Sequence, residues 1–367
     1  TVIQLSFFCI AICTSTGTAT LLLTEDTSIG SNKDWRSITS SNDGTRIFAG
    51  EQNGNLWKSI DSGSSWAEVS VGSVQSWYSI ALPDSGDLVA AVAYNGNIWL
   101  SPDFGDNWIT VGAAGTGQWK SISGSGDGTK LVAVGSNTNI WVSDDPVNTW
   151  IEDTTVGTTQ IWTSVSMSND GSKIAAVVSN GGMYISTDGG ANFAVSSSLG
   201  ANKAWIGVII DNTGDIIASV VNDNIWTSTD VGSTWSQVAF TSIPWKTLSA
   251  SNDGSVVVAT ANPGDVWTSI DYGASWNEEN EITAWQACCV SGNGKKVFTA
   301  VGGGVTTGNI WVGNMPSAPT GVPTGNPTLQ PTTCPAYGCG RKPNTIVKDV
   351  IQDFKRFMEG FRHIKLF

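Results

Sequence analysis

The sequence is poor in the residues that most active sites need. Its only histidine, His363, lies near the end of the 367-residue chain. Zinc sites with imidazole ligands and Ser-His-Asp triads therefore have no histidine available in the rest of the chain. A Gly-x-Ser-x-Gly elbow and a phosphate-binding glycine loop are absent as well. Nucleophilic and phosphoryl-transfer chemistry thus lack support, and we expect no cofactor and no metal.

Charge is also scarce, and its sign is uneven. Charged residues make up 13% of the chain, and the formal net charge is -13. The segment after Gly340 carries seven of the 18 basic residues and three of the 31 acidic ones, which leaves 11 basic and 28 acidic residues before it. A body this acidic repels nucleic acid and anionic membranes. We therefore expect no nucleic-acid partner.

Long apolar runs are missing apart from a short one at the start. Residues 2–13, VIQLSFFCIAIC, are followed by small residues up to Ala19. This pattern is typical of the core of a secretory signal without its basic start, and an extra edge strand is the alternative. We assign residues 1–17 to this segment and expect a secreted or cell-surface protein, with a lumenal location as the alternative.

Cysteine is limited to three close pairs. They are Cys9/Cys13, Cys288/Cys289 and Cys334/Cys339. A Cys334–Cys339 disulfide fits an oxidising compartment. Cys288 and Cys289 are neighbours on a predicted strand, so their side chains should point to opposite faces and not pair with each other. The remaining connectivity stays open.

Tryptophan, by contrast, is abundant, and all 18 copies fall into three columns of an internal repeat. The first column is Trp35, Trp77, Trp119, Trp162, Trp205, Trp245 and Trp285. The second is Trp57, Trp99, Trp141, Tyr184, Trp226, Trp267 and Trp311. The third is Trp66, Trp108, Trp150, Phe193, Trp235 and Trp276. The period of the first column, 40 to 43 residues, is the length of a four-stranded propeller blade.

Each repeat predicts an antiparallel meander of four strands. In one repeat we expect strands over Trp162–Met167, Lys173–Val178 and Met183–Ser186, with a fourth near Phe193. The turns carry Asn-Asp-Gly and Asn-Gly, which tolerate the positive φ of tight hairpins. The fold class is therefore all-β.

Seven first-column tryptophans predict a seven-bladed β-propeller. The seventh repeat lacks a fourth strand after Trp311, and we expect the N-terminal segment Thr18–Thr27 to supply it. Such closure removes the exposed sheet edges. The propeller would then span residues 18–313.

A phrase of the form Ser-x-Asp-x-Gly-x-Thr-Trp recurs between the third and fourth strands. Its copies give the candidate structural residues Ser59, Asp61, Gly63, Trp66, Ser101, Asp103, Gly105, Trp108, Ser186, Asp188, Gly190, Ser228, Asp230, Gly232, Trp235, Ser269, Asp271, Gly273 and Trp276. A weaker copy lies at Ser143–Trp150, and Phe193 replaces the tryptophan in the copy that begins at Ser186. A catalytic centre is needed once, whereas a turn staple is needed in every blade.

This phrase resembles the Asp-box, also called the bacterial neuraminidase repeat, over roughly residues 35–311. Sialidases, xyloglucan-cleaving glucanases, sortilin-type receptors and photosystem II assembly factors carry it, so the resemblance implies a fold and leaves the activity open. The Asp and Ser side chains can bond backbone N–H groups in the turn, and Gly supplies a positive φ. Calcium binding is the minor alternative, because each turn has one carboxylate.

The families with this repeat differ in what their sites require. A sialidase needs converging arginines, whereas the body of this chain has only Arg36 and Arg46. The same shortage counts against an assembly factor with an Arg-rich patch. A glycoside hydrolase needs only two carboxylates at a set separation. The candidates outside the turns are Glu51, Glu68, Glu152, Asp153, Glu278, Glu279 and Glu281, and a solvated acidic loop is the alternative for the last three.

Binding is the function that the sequence favours over catalysis. The loops between the second and third strands and between successive blades share one face in propellers of this type. They are rich in Asn, Gly, Thr and Ser, which suit a protein or glycan ligand. Candidate ligand-binding residues are the seven first-column tryptophans and Tyr94. The alternative for the tryptophans is a wedge between blades.

The C-terminal part of the chain changes in composition. Residues 314–342 form a Pro/Thr-rich linker that favours extended polyproline geometry. Residues 343–367 have apolar residues at helical spacing with basic residues between them, which predicts an amphipathic basic helix. This helix could bind a membrane surface or a partner protein, or it could dock on the propeller or fray.

Overall fold

The computed structural model describes residues 21–315, apart from residues 31, 158, 200–202, 221–223, 239, 241–242, 280–282 and 304–306. The signal-like segment, the Pro/Thr-rich linker from residue 316 onward, the C-terminal helix and the cysteines Cys9, Cys13, Cys334 and Cys339 lie outside the described residues. Within these ranges the one helix is a 3-10 turn, η1 (Ser197–Leu199), and no helix is long and apolar enough to cross a membrane.

The described residues form 28 strands. The first 13 are β1 (Leu22–Asp26), β2 (Trp35–Ser40), β3 (Ile47–Glu51), β4 (Leu56–Ser59), β5 (Ala67–Val69), β6 (Trp77–Ala81), β7 (Val89–Gly96), β8 (Ile98–Ser101), β9 (Ile109–Thr110), β10 (Gly117–Gly124), β11 (Leu131–Thr138), β12 (Ile140–Asp145) and β13 (Thr149–Asp153). The next eight are β14 (Gln160–Met167), β15 (Ile174–Gly181), β16 (Met183–Ser186), β17 (Ala194–Val195), β18 (Lys203–Ile210), β19 (Ile216–Val220), β20 (Ile225–Ser228) and β21 (Ser236–Val238). The last seven are β22 (Trp245–Ala250), β23 (Val257–Ala261), β24 (Val266–Ser269), β25 (Asn277–Glu278), β26 (Trp285–Val290), β27 (Lys296–Val301) and β28 (Ile310–Asn314).

These strands pair in antiparallel meanders of four. Meander one is β2–β5, and each later meander takes the next four strands, up to meander six with β22–β25. Meander seven consists of β26, β27 and β28, and its fourth strand is β1, which pairs with β28 from Leu22↔Asn314 to Asp26↔Ile310. The N-terminal segment therefore lies beside the last repeat, as the incomplete repeat predicted.

The first strands of the meanders form an inner ring around a central channel. Each first strand contacts the first strand of the next meander, and β26 contacts β2, so the ring is closed. Hydroxyl groups connect neighbouring strands in this ring, where a continuous backbone ladder is absent. Ser121 Oγ accepts a hydrogen bond from Val165 N at 3.1 Å, and Ser249 Oγ accepts one from Val290 N at 3.0 Å.

The hydrophobic core lies between meanders. Trp119, for example, packs with Ile98 and Leu100 of meander two and with Leu131 of its own meander. All seven first-column tryptophans are buried in this way, with at most 3% of the side chain exposed. Because each packs across a junction, the tryptophan repeat holds adjacent meanders together.

The repeated phrase folds into a turn that is bonded internally. Ser228 Oγ donates to Asp230 Oδ1 at 2.8 Å and accepts from Gly232 N at 2.8 Å. Asp230 also accepts from Thr234 N at 2.7 Å, and Trp235 Nε1 donates to Gly232 O at 3.0 Å. Equivalent Ser–Asp bonds of 2.8 Å occur at Asp61, Asp103, Asp188 and Asp271. Gly232 has a φ of 76°, which favours glycine.

A second staple lies in the hairpin between the first and second strands. Ser168 Oγ donates to Asp170 Oδ1 at 2.6 Å and accepts from Lys173 N at 2.9 Å. The same pattern occurs around Asp43, Asp127 and Asp253. The two kinds of turn touch, since Gly189 N donates to Ser172 O at 2.8 Å. Both staples therefore lie at the same end of the channel.

Candidate binding site at the open end of the channel

One end of the channel is closed by the hairpin turns. The second residues of these turns are Asn42, Asp84, Gly126, Asn169, Asn212, Asn252 and Gly292, here called the closing ring. Asp84 accepts hydrogen bonds from the side-chain amides of Asn169 and Asn252, both at 2.8 Å, and so bridges meanders two, four and six. A Cβ atom on Gly126 would lie 1.8 Å from Asn169 Oδ1, so glycine there makes room for the amide.

The opposite end is lined by seven residues that each follow a first-column tryptophan. They are Arg36, Tyr78, Lys120, Thr163, Ile206, Lys246 and Gln286, here called the mouth ring. In every first strand the pairing register shifts at this residue. Such a β-bulge leaves one residue without a ladder partner and re-aims its side chain. The seven side chains line a cavity of about 260 Å³.

Three members of the mouth ring are cationic. Arg36, Lys120 and Lys246 come from meanders one, three and six, and none forms an ion pair with a carboxylate among the described residues. Burial lowers the pKa of Lys120, and the charges of Arg36 and Lys246 lower it further. Burial and the charge of Arg36 likewise lower the pKa of Lys246. The three cations therefore lie within electrostatic range of one another.

Two tyrosines support the cations on one side of the mouth. The rings of Tyr78 and Tyr94 stack with centroids 4.9 Å apart and an interplanar angle of 22°. Lys120 Nζ lies 4.5 Å from the centroid of Tyr78 and 4.4 Å from that of Tyr94. Arg36 Cζ lies 4.2 Å from the centroid of Tyr78. The aromatic pair thus fixes two of the three cations.

Several solved structures have a similar fold, although no family model and no curated protein matches the sequence. YCF48 bound to D1 peptide is 13% identical, with a TM-score of 0.61, and the match covers 81% of this chain and 95% of that chain. The GH74 xyloglucanase from Xanthomonas campestris is 14% identical, with a TM-score of 0.61 over 80% of this chain, which spans 53% of the xyloglucanase. The β-propeller domain of Cps50 (Swd1) from Myceliophteria thermophila is 11% identical, with a TM-score of 0.61, and the match covers 79% of this chain and 99% of that domain. The chain is a β-propeller.

Burial corrects one expectation about this propeller. Trp35, Trp77, Trp119, Trp162, Trp205, Trp245 and Trp285 are buried between meanders, so their rings are not exposed for stacking on a sugar. Several of their indole N–H groups bond the preceding meander, as Trp77 Nε1 does with Gly54 O at 3.2 Å. These tryptophans therefore act as wedges. Tyr94, the other predicted ligand-binding residue, lies at the mouth and contacts Lys120.

The carboxylates suggested for hydrolysis are engaged in structural bonds. Glu51 pairs with Lys33 at 3.5 Å, and Glu152 accepts from Asn139 at 2.9 Å. Glu68 accepts from Asn55 in the same way, and Asp153 accepts from Thr155 Oγ1 at 2.7 Å. Buried Glu279 accepts from Leu21 N at 2.9 Å. Glu281 lies outside the described residues.

Among the described candidates of this set, Glu278 has a neighbouring carboxyl group, that of Asp265. A hydrogen bond with Asp265 raises the pKa of Glu278, because the two groups share a proton more readily than they both ionise. Two carboxyl groups in direct contact are closer than the separation that either glycosidase mechanism uses. This pair therefore does not form a hydrolytic site.

Metal ligands are not grouped in the part of the chain that the structure describes. No set of three or more His, Cys, Asp and Glu side chains there is arranged to hold a metal ion. The Asp carboxylates of the turns are bonded to backbone and side-chain donors of their own turns instead. Cys288 and Cys289 are both free and buried, and burial raises the pKa of both thiols, that of Cys289 to about 11.

Sequence reasoning missed the mouth ring because it followed the residues that recur. The signal was present in the same alignment: the residue after each first-column tryptophan is Arg, Tyr, Lys, Thr, Ile, Lys or Gln, whereas the tryptophan itself never changes. A position that varies inside a repeat is free of the packing role that its neighbours share. In this propeller that position faces the channel mouth.

Proposed function

We propose that this chain is a seven-bladed Asp-box β-propeller, with each meander as one blade, that acts as a non-catalytic binding module. Its ligand, a protein or a glycan, would bind on the open face around the mouth ring. The single observation that carries this proposal is the unpaired cation trio of Arg36, Lys120 and Lys246, in a chain with a net charge of -13. Unpaired, half-buried charges at a mouth are typical of ligand sites.

Grouping three like charges around one cavity is electrostatically unfavourable, and this supports a binding role. Four of the eleven described basic residues form ion pairs, for example Arg46 with Asp87 at 2.6 Å and Lys58 with Asp106 at 2.6 Å, whereas Arg36, Lys120 and Lys246 are grouped around one cavity without such a pair. A folded acidic protein gains nothing by placing three cations together without such partners. We infer that a ligand supplies the missing negative charge.

A hydrolase of the Asp-box glucanase type is the second candidate, because the GH74 xyloglucanase has a similar fold. The bonded state of Glu51, Glu68, Glu152 and Glu278 favours binding over hydrolysis. A third candidate is a lumenal protein similar to the photosystem II assembly factors. YCF48 bound to D1 peptide has a similar fold, which is compatible with a peptide ligand on the open face here.

The proposed setting is the cell surface or the extracellular space, with residues 314–342 as a spacer and residues 343–367 as a helix that contacts a membrane or partner. Liposome flotation of the full chain and of a chain without residues 343–367 tests the helix. Flotation that is the same for both chains would contradict a membrane role.

Parallel arrays test the binding role. The full chain is applied to a glycan array and to an array of short peptides, and a reducing-sugar assay with xyloglucan and related polysaccharides is run beside them. We expect saturable binding to one ligand class and no release of sugar. Release of reducing ends from any polysaccharide would overturn the proposal in favour of the hydrolase.

A further inference from the structure

The geometry points to an oxyanion site on the channel axis: Arg36, Lys120 and Lys246 of the mouth ring hold a compact carboxylate or phosphate group of the ligand. This inference rests on the proposed binding function and names the chemistry that the open face recognises. Guanidinium and ammonium groups are the side chains that proteins use for both kinds of oxyanion.

The three cations surround the axis. They belong to meanders one, three and six of the closed ring. Going around the ring, Lys120 lies two meanders after Arg36, Lys246 lies three after Lys120, and Arg36 lies two after Lys246. All three line the same cavity, and each is placed by a β-bulge that follows a buried tryptophan. An anion on the axis can therefore approach all three, and their mutual repulsion decreases when it binds.

The tyrosines fix the cations rather than the ligand. One face of Tyr78 stacks on Tyr94, and Arg36 and Lys120 lie over the pair. Tyr78 is thus already engaged by Tyr94, Arg36 and Lys120, which disfavours stacking of a neutral sugar on this ring. Held cations lose little side-chain freedom when the anion arrives, so the site is preorganised for a charged group.

Gln286 is the buried member of the mouth ring. Its side chain is 6% exposed, it lines the same cavity, and its Oε1 atom has no hydrogen-bond donor among the described residues. Buried carbonyl oxygens are normally bonded. The oxygen is itself enclosed by protein atoms, so it adds an uncompensated polar group beside the cations but no direct contact to the ligand.

The size and surroundings of the mouth limit how large and how highly charged the bound anion can be. The cavity of about 260 Å³ accepts one small group. Outside the mouth, the chain before the linker is dominated by acidic residues, and a long polyanion would meet them. The site therefore suits a ligand that presents a single compact oxyanion at its tip.

Thermal unfolding of the full chain tests the site. Tricarballylate represents the carboxylate and inorganic phosphate the phosphate, each titrated against NaCl of equal ionic strength. The mouth variant is K120Q/K246Q, and the matched control is K58Q/K130Q, whose lysines pair with Asp106 and Asp144 on other surfaces. The natural Thr163, Ile206 and Gln286 at equivalent positions indicate that the mouth variant folds, which circular dichroism checks.

We expect one of the two oxyanions to raise the melting temperature of the wild type and the control saturably, beyond the effect of NaCl. The affinity of the mouth variant for this oxyanion should be lower by about tenfold or more, because two charge-assisted contacts are lost. A shift equal to that of NaCl, or an equal shift in the mouth variant, would overturn the site. Should K120Q/K246Q fail to fold, the single variant R36Q gives the same comparison.

The arrays separate failure of this site from failure of the binding function. An array ligand that binds the wild type and the mouth variant equally, with no oxyanion effect, would refute the oxyanion site and leave the binding function standing. Oxyanion binding without any array ligand would refute the broader proposal instead. Weaker binding of the same array ligand by the mouth variant would support both.

Discussion

The two ends of the channel treat charge in opposite ways. At the closed end, the turn carboxylates are surrounded by donors: hydrogen bonds from Asn107 and Asn192 lower the pKa of Asp103 and Asp188, respectively, to about 2. At the open end, burial and like charges lower the pKa of Lys120. The closed end thus favours the charged forms of Asp103 and Asp188, and the open end disfavours the charged form of Lys120.

This contrast separates residues that build the repeat from residues that use it. Turn residues recur because every blade needs the same staple, and most of their polar atoms bond within their own turn. Mouth residues differ from blade to blade, and their electrostatic needs are not met within the described residues. Incomplete satisfaction at one end of a well-satisfied scaffold is what a binding site requires.

Among the changes at the closed end, removal of the Asp84 carboxylate should cause the largest loss of stability. Asp84→Ala removes two charge-assisted hydrogen bonds, to Asn169 and Asn252, and leaves both amides without that acceptor. We expect the free energy of unfolding to fall by about 3 kcal/mol, measured by urea denaturation.

The control for this variant is Asp106→Ala, which breaks the exposed ion pair with Lys58 and should cost less than about 1 kcal/mol. Similar losses in both variants would mean that the closing ring contributes no more than a surface ion pair. The comparison between the two ends would then lose its structural basis.

Acid should weaken the closed end before it affects the mouth. Asp103, Asp170 and Asp188 have folded pKa values of about 2, below the ordinary value of 3.8. A lowered folded pKa contributes stability that is present above the unfolded pKa and is lost as pH falls through the folded pKa. We therefore expect the free energy of unfolding to decrease between about pH 4 and pH 2.

Asp188→Asn sharpens this prediction. When the variant unfolds in this pH range, it should take up fewer protons than the wild type, by up to about one. Its free energy of unfolding should therefore depend less steeply on pH. An unchanged slope would show that the turn hydrogen bonds do not set the acid sensitivity.

Much of the scaffold was predictable, because packing and turn chemistry act locally. The segment Met183–Ser186 is a strand with the predicted bounds, and the strand predicted at Trp162–Met167 begins two residues earlier, at Gln160. The N-terminal segment pairs with β28 because the last repeat needs a fourth strand. Both follow from periodicity, hairpin residues and the need to cover a sheet edge.

The site was less predictable, because it depends on ring closure. Arg36 and Lys246 are 210 residues apart in sequence, and only the circular order of the first strands brings them near each other. The β-bulge that turns Lys120 into the channel leaves no mark in the hydrophobic pattern. The first-column tryptophans attracted attention because aromatic rings bind sugars, but their role is in the core.

Removal of a cation from the mouth should stabilise the free protein. In Lys246→Met the repulsion with Arg36 and Lys120 disappears, and an apolar group occupies a half-buried position. We expect the free energy of unfolding to rise by about 0.5–1 kcal/mol at neutral pH and low salt. A lysine whose pKa is lowered in the folded state destabilises the protein at pH values below that folded pKa, and this penalty disappears as the pH rises through it. The stability gained in Lys246→Met should therefore become smaller at alkaline pH.

Lys130→Met is the matched control, since Lys130 pairs with Asp144 at 2.9 Å and its loss should not stabilise. Salt should reduce the gain in Lys246→Met, because it screens the repulsion that the variant removes. A loss of stability in Lys246→Met would show that the trio is satisfied without a ligand, which would remove the contrast with the closed end.

The smallest predicted change in stability concerns a pair of neighbouring carboxyl groups on the open face, Asp265 and Glu278. In meanders one, three and seven an asparagine amide donates to a glutamate on the neighbouring strand: Asn55 to Glu68, Asn139 to Glu152, and Asn309 to Glu25. In meander six Asp265 replaces this asparagine, and its carboxyl raises the pKa of Glu278. A raised folded pKa gives stability below the unfolded pKa that is lost as pH rises through the folded pKa.

Asp265→Asn should therefore raise the melting temperature by about 1 °C at pH 7, where the two carboxylates repel each other, and have little effect at pH 4, where they share a proton. The reciprocal change Asn139→Asp places the same carboxyl pair in meander three and should lower the melting temperature at pH 7 by a similar amount. A gain in Asp265→Asn that persists unchanged at pH 4 would mean that packing, rather than carboxyl repulsion, distinguishes this position. The open face would then owe its strain to the cation trio alone.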